Sequence, residues 1–447
     1  MSDKRLIFLD AFRGIAISGV IGLHIITAIV FNNDLESLST LSALAMIAIA
    51  PIGFLGTWAP MFMMISGMVN AYVLHRILKQ HHEKKRGGTP FRSIIAGSIA
   101  AGMFLYLLSM LNMTFMHHSM FYNGSFQHTL LSSSLQQGSW QSFSPDLLFY
   151  NDALSVIAMS GVFTTLLLCL VWSGNGFKRM GRSVAWIAVI AAGIFLLSPV
   201  IHKILDPVFF DALNSGHFVT AFILKLFVGP NFSSIPFVSY GLIGALIGIG
   251  LARRAPVTLF RRYGYGVSAA LVACGVLLFV TQQFSLADLA NHPQPLKMHF
   301  VNLGLMLATC TFLSLHLEYC SDARRTKLAC RTLWMRRFGL VTLTLFCAES
   351  FVAVLFSKTY LWALGIEGPF PRSLAVILPF IIGTLIFWGL VIKAWEKIDF
   401  KYSVEWWMNH FVCFVRQRPT IRLNANEMLY KPCIPVPESA ANPVASD

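Results

Sequence analysis

The sequence predicts an all-α integral membrane protein of about ten transmembrane helices with both termini cytoplasmic, and three observations carry that expectation. Apolar runs of roughly 20 residues, enough to cross a hydrocarbon core of about 30 Å, recur along the whole chain. Only 12% of the 447 residues are charged while 56% are hydrophobic, whereas a soluble domain carries about a quarter charged residues. Basic residues gather in short clusters between alternate runs, the pattern that orients a multi-pass chain.

Taken in order, the spans fall near 8–30, 58–78, 93–115, 150–172, 184–204, 236–252, 264–283, 298–318, 338–357 and 372–393. The first keeps Asp10 and Arg13 inside it and is followed by no small-residue cleavage site, so it reads as a retained helix and not as a removed signal peptide. With these boundaries, and with the end-of-span residues Arg76, Arg372 and Lys393 assigned to the nearer side, 28 of the 34 Lys and Arg residues lie on the side of the N-terminus. Five lie on the other side, Lys203, Lys225, Lys297, Lys358 and Arg372, and Arg13 is within a span. A missed or invented span would scatter these clusters over both sides, so the asymmetry supports the even count and places both ends in the cytoplasm. A formal charge of +14 broken into such clusters does not form the continuous face that nucleic acid requires.

The eight cysteines fall in spans or expected cytoplasmic segments, so no disulfide framework is implied. Leu41 to Phe54 and Phe218 to Val228 are apolar but too short to cross, and read as re-entrant or interfacial segments that Pro51 and the Gly229-Pro230 pair interrupt. The longest outer loop, from about His117 to Leu148, is rich in Ser, Gln and Asn and is placed to cap a site. The transmembrane domain is thus expected over 1–397 and a cytoplasmic tail over 398–447, with an interfacial helix at Glu405-Trp406-Trp407 and a Pro/Ala/Ser-rich, disordered end.

Ionisable residues within a span cost roughly 2.5–3.5 kcal/mol each at a helix centre, and each therefore asks for a reason. The first span holds three. Asp10 and Arg13 are one helical neighbour step apart and can pair. Arg13 and His24, eleven residues apart, share a face about 16 Å apart along the axis. Gly14, Ala16, Gly19 and Gly22 allow neighbouring helices to approach closely. Arg13 reads either as a snorkelling anchor or as a ligand-binding cation. His24 reads either as an interhelical hydrogen-bonding group or as a base that accepts the proton of an attacking hydroxyl or amine. Glu349, a lone carboxylate among Phe346, Cys347, Phe351 and Val352, either orients His24, binds an acceptor or is neutral and hydrogen-bonded. Asn151 and Asp152 read as a helix cap, and the His117-His118 pair as surface residues at an outer membrane edge. No zinc-site spacing, phosphate loop or serine elbow is present in the sequence, and no metal is expected.

Leu9-Asp10-Ala11-Phe12-Arg13-Gly14-Ile15-Ala16 through to His24 resembles the Arg-x10-His motif of the acyltransferase-3 family, which typically reads LDgLRGiAal...H. Met61-Phe-Met-Met-Ile-Ser66-Gly67-Met68 is similar to the family's FFvLSGFl segment, with Met68 in place of the usual Phe, and the basic end at Arg76 and Lys79 and the Phe91-Arg92 start of the third span also fit. The stretch from Arg337 to Thr344, with Val404-Glu-Trp-Trp, is similar to bacterial relatives of the heparan-glucosamine N-acetyltransferase. The resemblance implies a bacterial inner-membrane enzyme with a ten-helix core. It would be a membrane-bound O- or N-acyltransferase moving an acyl group, acetyl the expected one, from cytoplasmic acyl-CoA to an extracytoplasmic glycan or lipid-linked acceptor. His24, Arg13, Asp10 and Glu349 are then the expected catalytic residues, and Arg13, Ser66, Gly67, Arg76 and Arg92 the donor-binding ones. Arg76, Lys79, Lys84, Lys85, Arg86 and Arg92 form the densest local supply of cations for the donor's phosphates, although retention of positive charge on the cytoplasmic side explains each of them as well. Whether His24 is a base or is transiently acylated stays open. The competing expectation is a secondary transporter of a small polar or anionic solute, which would leave the register of Arg13 and His24 without a purpose and for which no internal repeat is visible.

Overall fold

The first run forms helix α1, Ile7–His24, and continues as a π-helical turn over Ile25–Val30. The remaining helices follow in chain order: α2 Ala43–Gly56, α3 Ala59–Glu83, α4 Phe91–Phe115, α5 Leu131–Gln137, α6 Ala153–Trp172, α7 Met180–Asn214, α8 Phe218–Lys225, α9 Ser234–Ala252 and α10 Val257–Gln282. They are completed by α11 Leu296–Leu317, α12 Asp322–Arg331, α13 Leu333–Leu340, α14 Thr342–Ala363, α15 Leu374–Trp395 and α16 Val404–Val415. The computed structural model describes residues 6–33, 41–83, 90–122, 125–174, 176–230, 232–282, 295–420 and 423–434. Among these residues, ten helical segments are long and apolar enough to cross a membrane, and each overlaps one of the ten expected spans. Lys84, Lys85 and Arg86 lie outside the described residues, as does the tail beyond residue 434.

Helix pairing follows the small residues, as it must where lipid is as apolar as any side chain and close backbone approach supplies the attraction. Gly14 of α1 faces the Met335 carbonyl of α13, and Gly339 of α13 faces the Asp10 carbonyl of α1, so that a methyl group at either position would collide with backbone. Gly67, Gly244 and Gly248 put the same demand on the α3–α9 contact, where Gly67 meets the Gly241 backbone, Gly244 that of Met64 and Gly248 that of Met68. One apolar core joins the C-terminal half of α1 to α14 and α15, and a second joins the first turns of α1 to α3, α9 and α11.

One expectation needs correction. Pro51 does not interrupt helix: α2 runs through it and ends at Gly56, with a turn at Thr57 before α3. The ring lies on the exposed side of α2, away from the α1 face where Ile52 and Leu55 meet Gly22 and Gly19, so it displaces no neighbour. The loop from His117 to Leu148 holds a two-stranded hairpin pairing Met120–Tyr122 with Ser125–Gln127, helix α5 and a 3-10 turn at Pro145–Phe149. Gly229, by contrast, adopts φ +110° in the turn that follows α8, the break expected there. The tail folds back on the helices. Ser403 caps α16, which packs along α4, and the fully buried Arg336 guanidinium donates to the main-chain carbonyls of Leu429, at 2.9 Å, and Met428.

Candidate active site

His24 closes the α-helical part of α1, where the chain widens into a π turn, a local irregularity often found at functional sites. Glu349 stands two turns into α14, which crosses the same end of α1. Its side chain is 1% exposed, and its Oε1 accepts from His24 Nδ1 at 2.6 Å. The Ser350 hydroxyl donates to the same oxygen at 2.7 Å. Burial of a carboxylate is tolerated only with such partners. A carboxylate on Nδ1 fixes the imidazole tautomer and leaves Nε2 as the basic nitrogen.

The register of α14 is held from its own start. Glu405 of the tail helix accepts from the Leu343 and Thr344 amides, at 2.6 and 3.4 Å, and from the Thr344 hydroxyl at 2.7 Å. It thereby satisfies the orphan donors of the helix that carries Glu349. Burial pushes this carboxyl above its ordinary range, against the pull of those donors.

His117 and His118, expected on the surface, turn inward instead. The His118 ring lies 4.7 Å from His24 and 4.0 Å from His117, centre to centre. Its Nδ1 lies 3.4 Å from the Ser350 hydroxyl oxygen. The loop is pinned in this position. The Met116 and His117 amides both donate to the Asn112 carbonyl at 2.9 Å, Thr129 donates to the His117 carbonyl at 2.7 Å, and Gln136 of α5 donates to the Ala28 carbonyl at 3.2 Å. Desolvation pushes the His118 imidazole well below its ordinary value, with the neighbouring imidazoles adding to the shift, and lowers His117 as well. The sequence carried no signal for this placement, because a loop histidine acquires its role only through contacts with α1 and α14.

A second buried polar group adjoins this one. Asp152 caps α6 by accepting from the Ser155 amide at 2.9 Å, and its Oδ1 also accepts from Ser109 of α4 at 2.5 Å. Asp152 contributes to the electrostatic environment of His117, as do Glu349 and His24. Lys225, 1% exposed, donates to the Leu148 carbonyl at 2.7 Å and lies over the Tyr106 ring at 5.3 Å. Burial brings its ammonium down to about 8.

The other expected site residues stand elsewhere. Asp10 and Arg13 occupy the opposite end of α1, about 21 and 16 Å from His24 along the axis. Ser66 and Gly67 lie inside the bundle: Gly67 is closed off by α9, and Ser66 is one turn from Asn70, which donates to the Gly161 carbonyl at 3.4 Å. Arg76 sits over the Tyr72 ring at 5.6 Å, and Arg92 is exposed at the start of α4. A cleft of about 310 Å³ between α6 and α7, lined by Arg179, Arg182, Ser183 and Trp186, opens at the end of α6 opposite Asp152.

Donor atoms of His24, His118 and Glu349 lie within 4.8 Å of one another. The 2.6 Å His24–Glu349 separation is a hydrogen bond, shorter than the roughly 3.3 Å between two ligands of one zinc ion bound at about 2.0–2.1 Å. A Ser233–His202–Asp206 arrangement, with spacings of 3.0 and 2.9 Å, resembles a nucleophilic triad. There, however, His202 Nε2 lies 2.7 Å from the Ile235 carbonyl and is committed as a donor, so it has no lone pair for the serine proton.

With this geometry in place, comparison with protein families decides between the two sequence expectations. The family model described as an acyltransferase domain, that of the acyltransferase-3 family, matches residues 6–392. The chain belongs to the acyltransferase-3 family. No match was found among curated proteins or among solved structures. Family membership makes the chain a multi-pass membrane acyltransferase, and the transporter expectation falls away. In this acyltransferase-3 member the matched region ends before Glu396, so Glu405 and the carbonyls that hold Arg336 belong to the part of the chain that follows.

Proposed function

We propose that this acyltransferase moves an acetyl group from cytoplasmic acetyl-CoA to a hydroxyl or amine of an extracytoplasmic glycan or lipid-linked acceptor, with His24 as general base. The observation that carries the proposal is the 2.6 Å hydrogen bond between the half-buried His24 and the buried Glu349. The carboxylate orients the ring, and it stabilises the imidazolium formed when Nε2 takes the acceptor's proton. Acceptor oxygen or nitrogen then attacks the thioester carbonyl, the C–S bond breaks, and the thiolate recovers the proton from His24.

Arg13, on the same face of α1 and about 16 Å toward the N-terminus, takes the donor's phosphate or pantetheine region. Arg76 and Arg92 supply further phosphate contacts at the basic side. Support for this polarity comes from the charge asymmetry of the sequence, which puts the donor side in the cytoplasm. The span between the two groups suits a long, thin donor arm.

Membranes holding the protein, supplied with radiolabelled acetyl-CoA, test the proposal. Labelling of an extracytoplasmic acceptor should fall by about 10²–10⁴-fold in His24→Ala while the protein remains inserted. Transfer at the wild-type rate would remove His24 from the chemistry. Arg13→Ala should instead weaken donor binding, read as a raised KM for acetyl-CoA.

A further inference from the structure

Three imidazoles, His24, His117 and His118, meet at this end of α1, and the mechanism above uses one. His24 Nδ1 donates to Glu349 Oε1, so its lone pair is on Nε2. Ser350 spends its single proton on that same carboxylate oxygen, so its own oxygen can only accept, and the group facing it is His118 Nδ1. His118 therefore also carries its proton on Nδ1 and its lone pair on Nε2. Among the described residues neither Nε2 accepts a hydrogen bond from the protein. The rings stand 4.7 Å apart, and the loop bonds around Met116 to Thr129 hold the second ring in place.

We propose that His118 is an acceptor-positioning residue, taking a hydrogen bond from a donor group adjacent to the one His24 deprotonates, so that the acceptor carries neighbouring donors as in a vicinal diol or amino alcohol. The proposal rests on the reading of His24 as base and adds the substrate class. His118 exchanges no proton: the reacting hydroxyl gives its proton to His24, and the neighbouring one keeps its own. Desolvation holds His118 uncharged, the state in which Nε2 accepts. Other acceptors at this end point the same way. Glu349 Oε2 and Asp152 Oδ2 are buried with no hydrogen-bond partner, so the polar groups around the two rings hold acceptors in excess of donors.

Diethyl pyrocarbonate, which modifies neutral imidazole nitrogens, tests this without knowledge of the natural acceptor. The purified chain in lipid nanodiscs is treated at neutral pH in ethylene glycol or in ethanol at equal molarity, and modification of each histidine is followed by mass spectrometry. Ethylene glycol should slow modification of His24 and His118 by about fivefold relative to ethanol, the factor one net hydrogen bond supplies. His118→Leu should abolish the diol advantage at His24, and His118→Gln, whose amide oxygen also accepts, should restore part of it. Equal rates in the two alcohols, or a diol advantage that survives His118→Leu, overturns the proposal. So does protection of both histidines by micromolar zinc chloride in place of the diol, which would make the cluster a metal site. The measurement requires no turnover. A protein that shows the diol effect yet transfers normally as His24→Ala loses the catalytic reading and keeps the binding site; the reverse pattern loses the diol proposal alone.

Discussion

At the scale of single residues, the proposed chemistry turns on one carboxylate oxygen shared by His24 and Ser350. Glu349→Gln keeps the volume and an oxygen to accept from Nδ1, but removes the charge that stabilises the imidazolium. The acyl-transfer rate should fall by about 10²–10⁴-fold with the unfolding temperature nearly unchanged, and an equal loss of both would make Glu349 a structural residue only. Ser350→Ala removes a neutral donor and should cost about tenfold or less in rate, roughly the 1.4 kcal/mol upper range of one hydrogen bond. The placement of Arg13 and His24 on one helix was legible in the sequence because a charge inside a span is costly and their spacing sets them on one face. Glu349 was visible as a lone buried carboxylate, but its partner was left open among three readings. His118 was not legible: two adjacent histidines in a polar loop look like surface residues until the Asn112 and Thr129 bonds turn them inward.

Between elements, the contact that decides the site's geometry is α1 against α13, since α13 leads through the break at Val341 into α14 and so to Glu349. Gly339→Leu should force the two backbones apart and cost at least the roughly 1–3 kcal/mol of an overpacked core. The expected readout is a lowered unfolding temperature in detergent and a smaller monodisperse fraction; an unchanged temperature would show that this contact is slack. The spans themselves were readable from length and apolarity, and Gly14 was singled out as a point of close approach. The cap on α14 was not. Glu405 lies 62 residues from Leu343 in sequence, and nothing in a short Glu-Trp-Trp segment says which helix start it will meet. Replacing Glu405 by Ala should cost about 1 kcal/mol, as loss of a helix cap does, and Gln, which can still accept, should recover most of it.

Over the whole molecule, the ten helices long and apolar enough to cross a membrane among the described residues were legible because the bilayer imposes length and polarity on every segment alike, while the folded loop between α4 and α6 and the docked tail depend on particular distant partners. That difference predicts how the protein answers to pH. Desolvation lowers His118 well below the 6.5 of an exposed imidazole, and His117 is lowered too. In the unfolded chain both take up protons as the pH drops through about 6.5, whereas the folded protein does not until lower values. The unfolded state thus binds more protons below that point, and stability must fall with falling pH, by up to about 1.4 kcal/mol per pH unit for each histidine that stays neutral in the fold. Above pH 7.5 both states are neutral and the contribution vanishes. Unfolding temperatures measured between pH 7.5 and 5 should therefore decline for the wild type and decline less for His118→Gln, which removes one of the two titrating groups while keeping a polar side chain in the loop. Parallel declines would mean that the His118 ring is hydrated and charges as easily in the folded protein as out of it, and the loop would then not be the dry cover over His24 that its bonds to α1 and α4 describe.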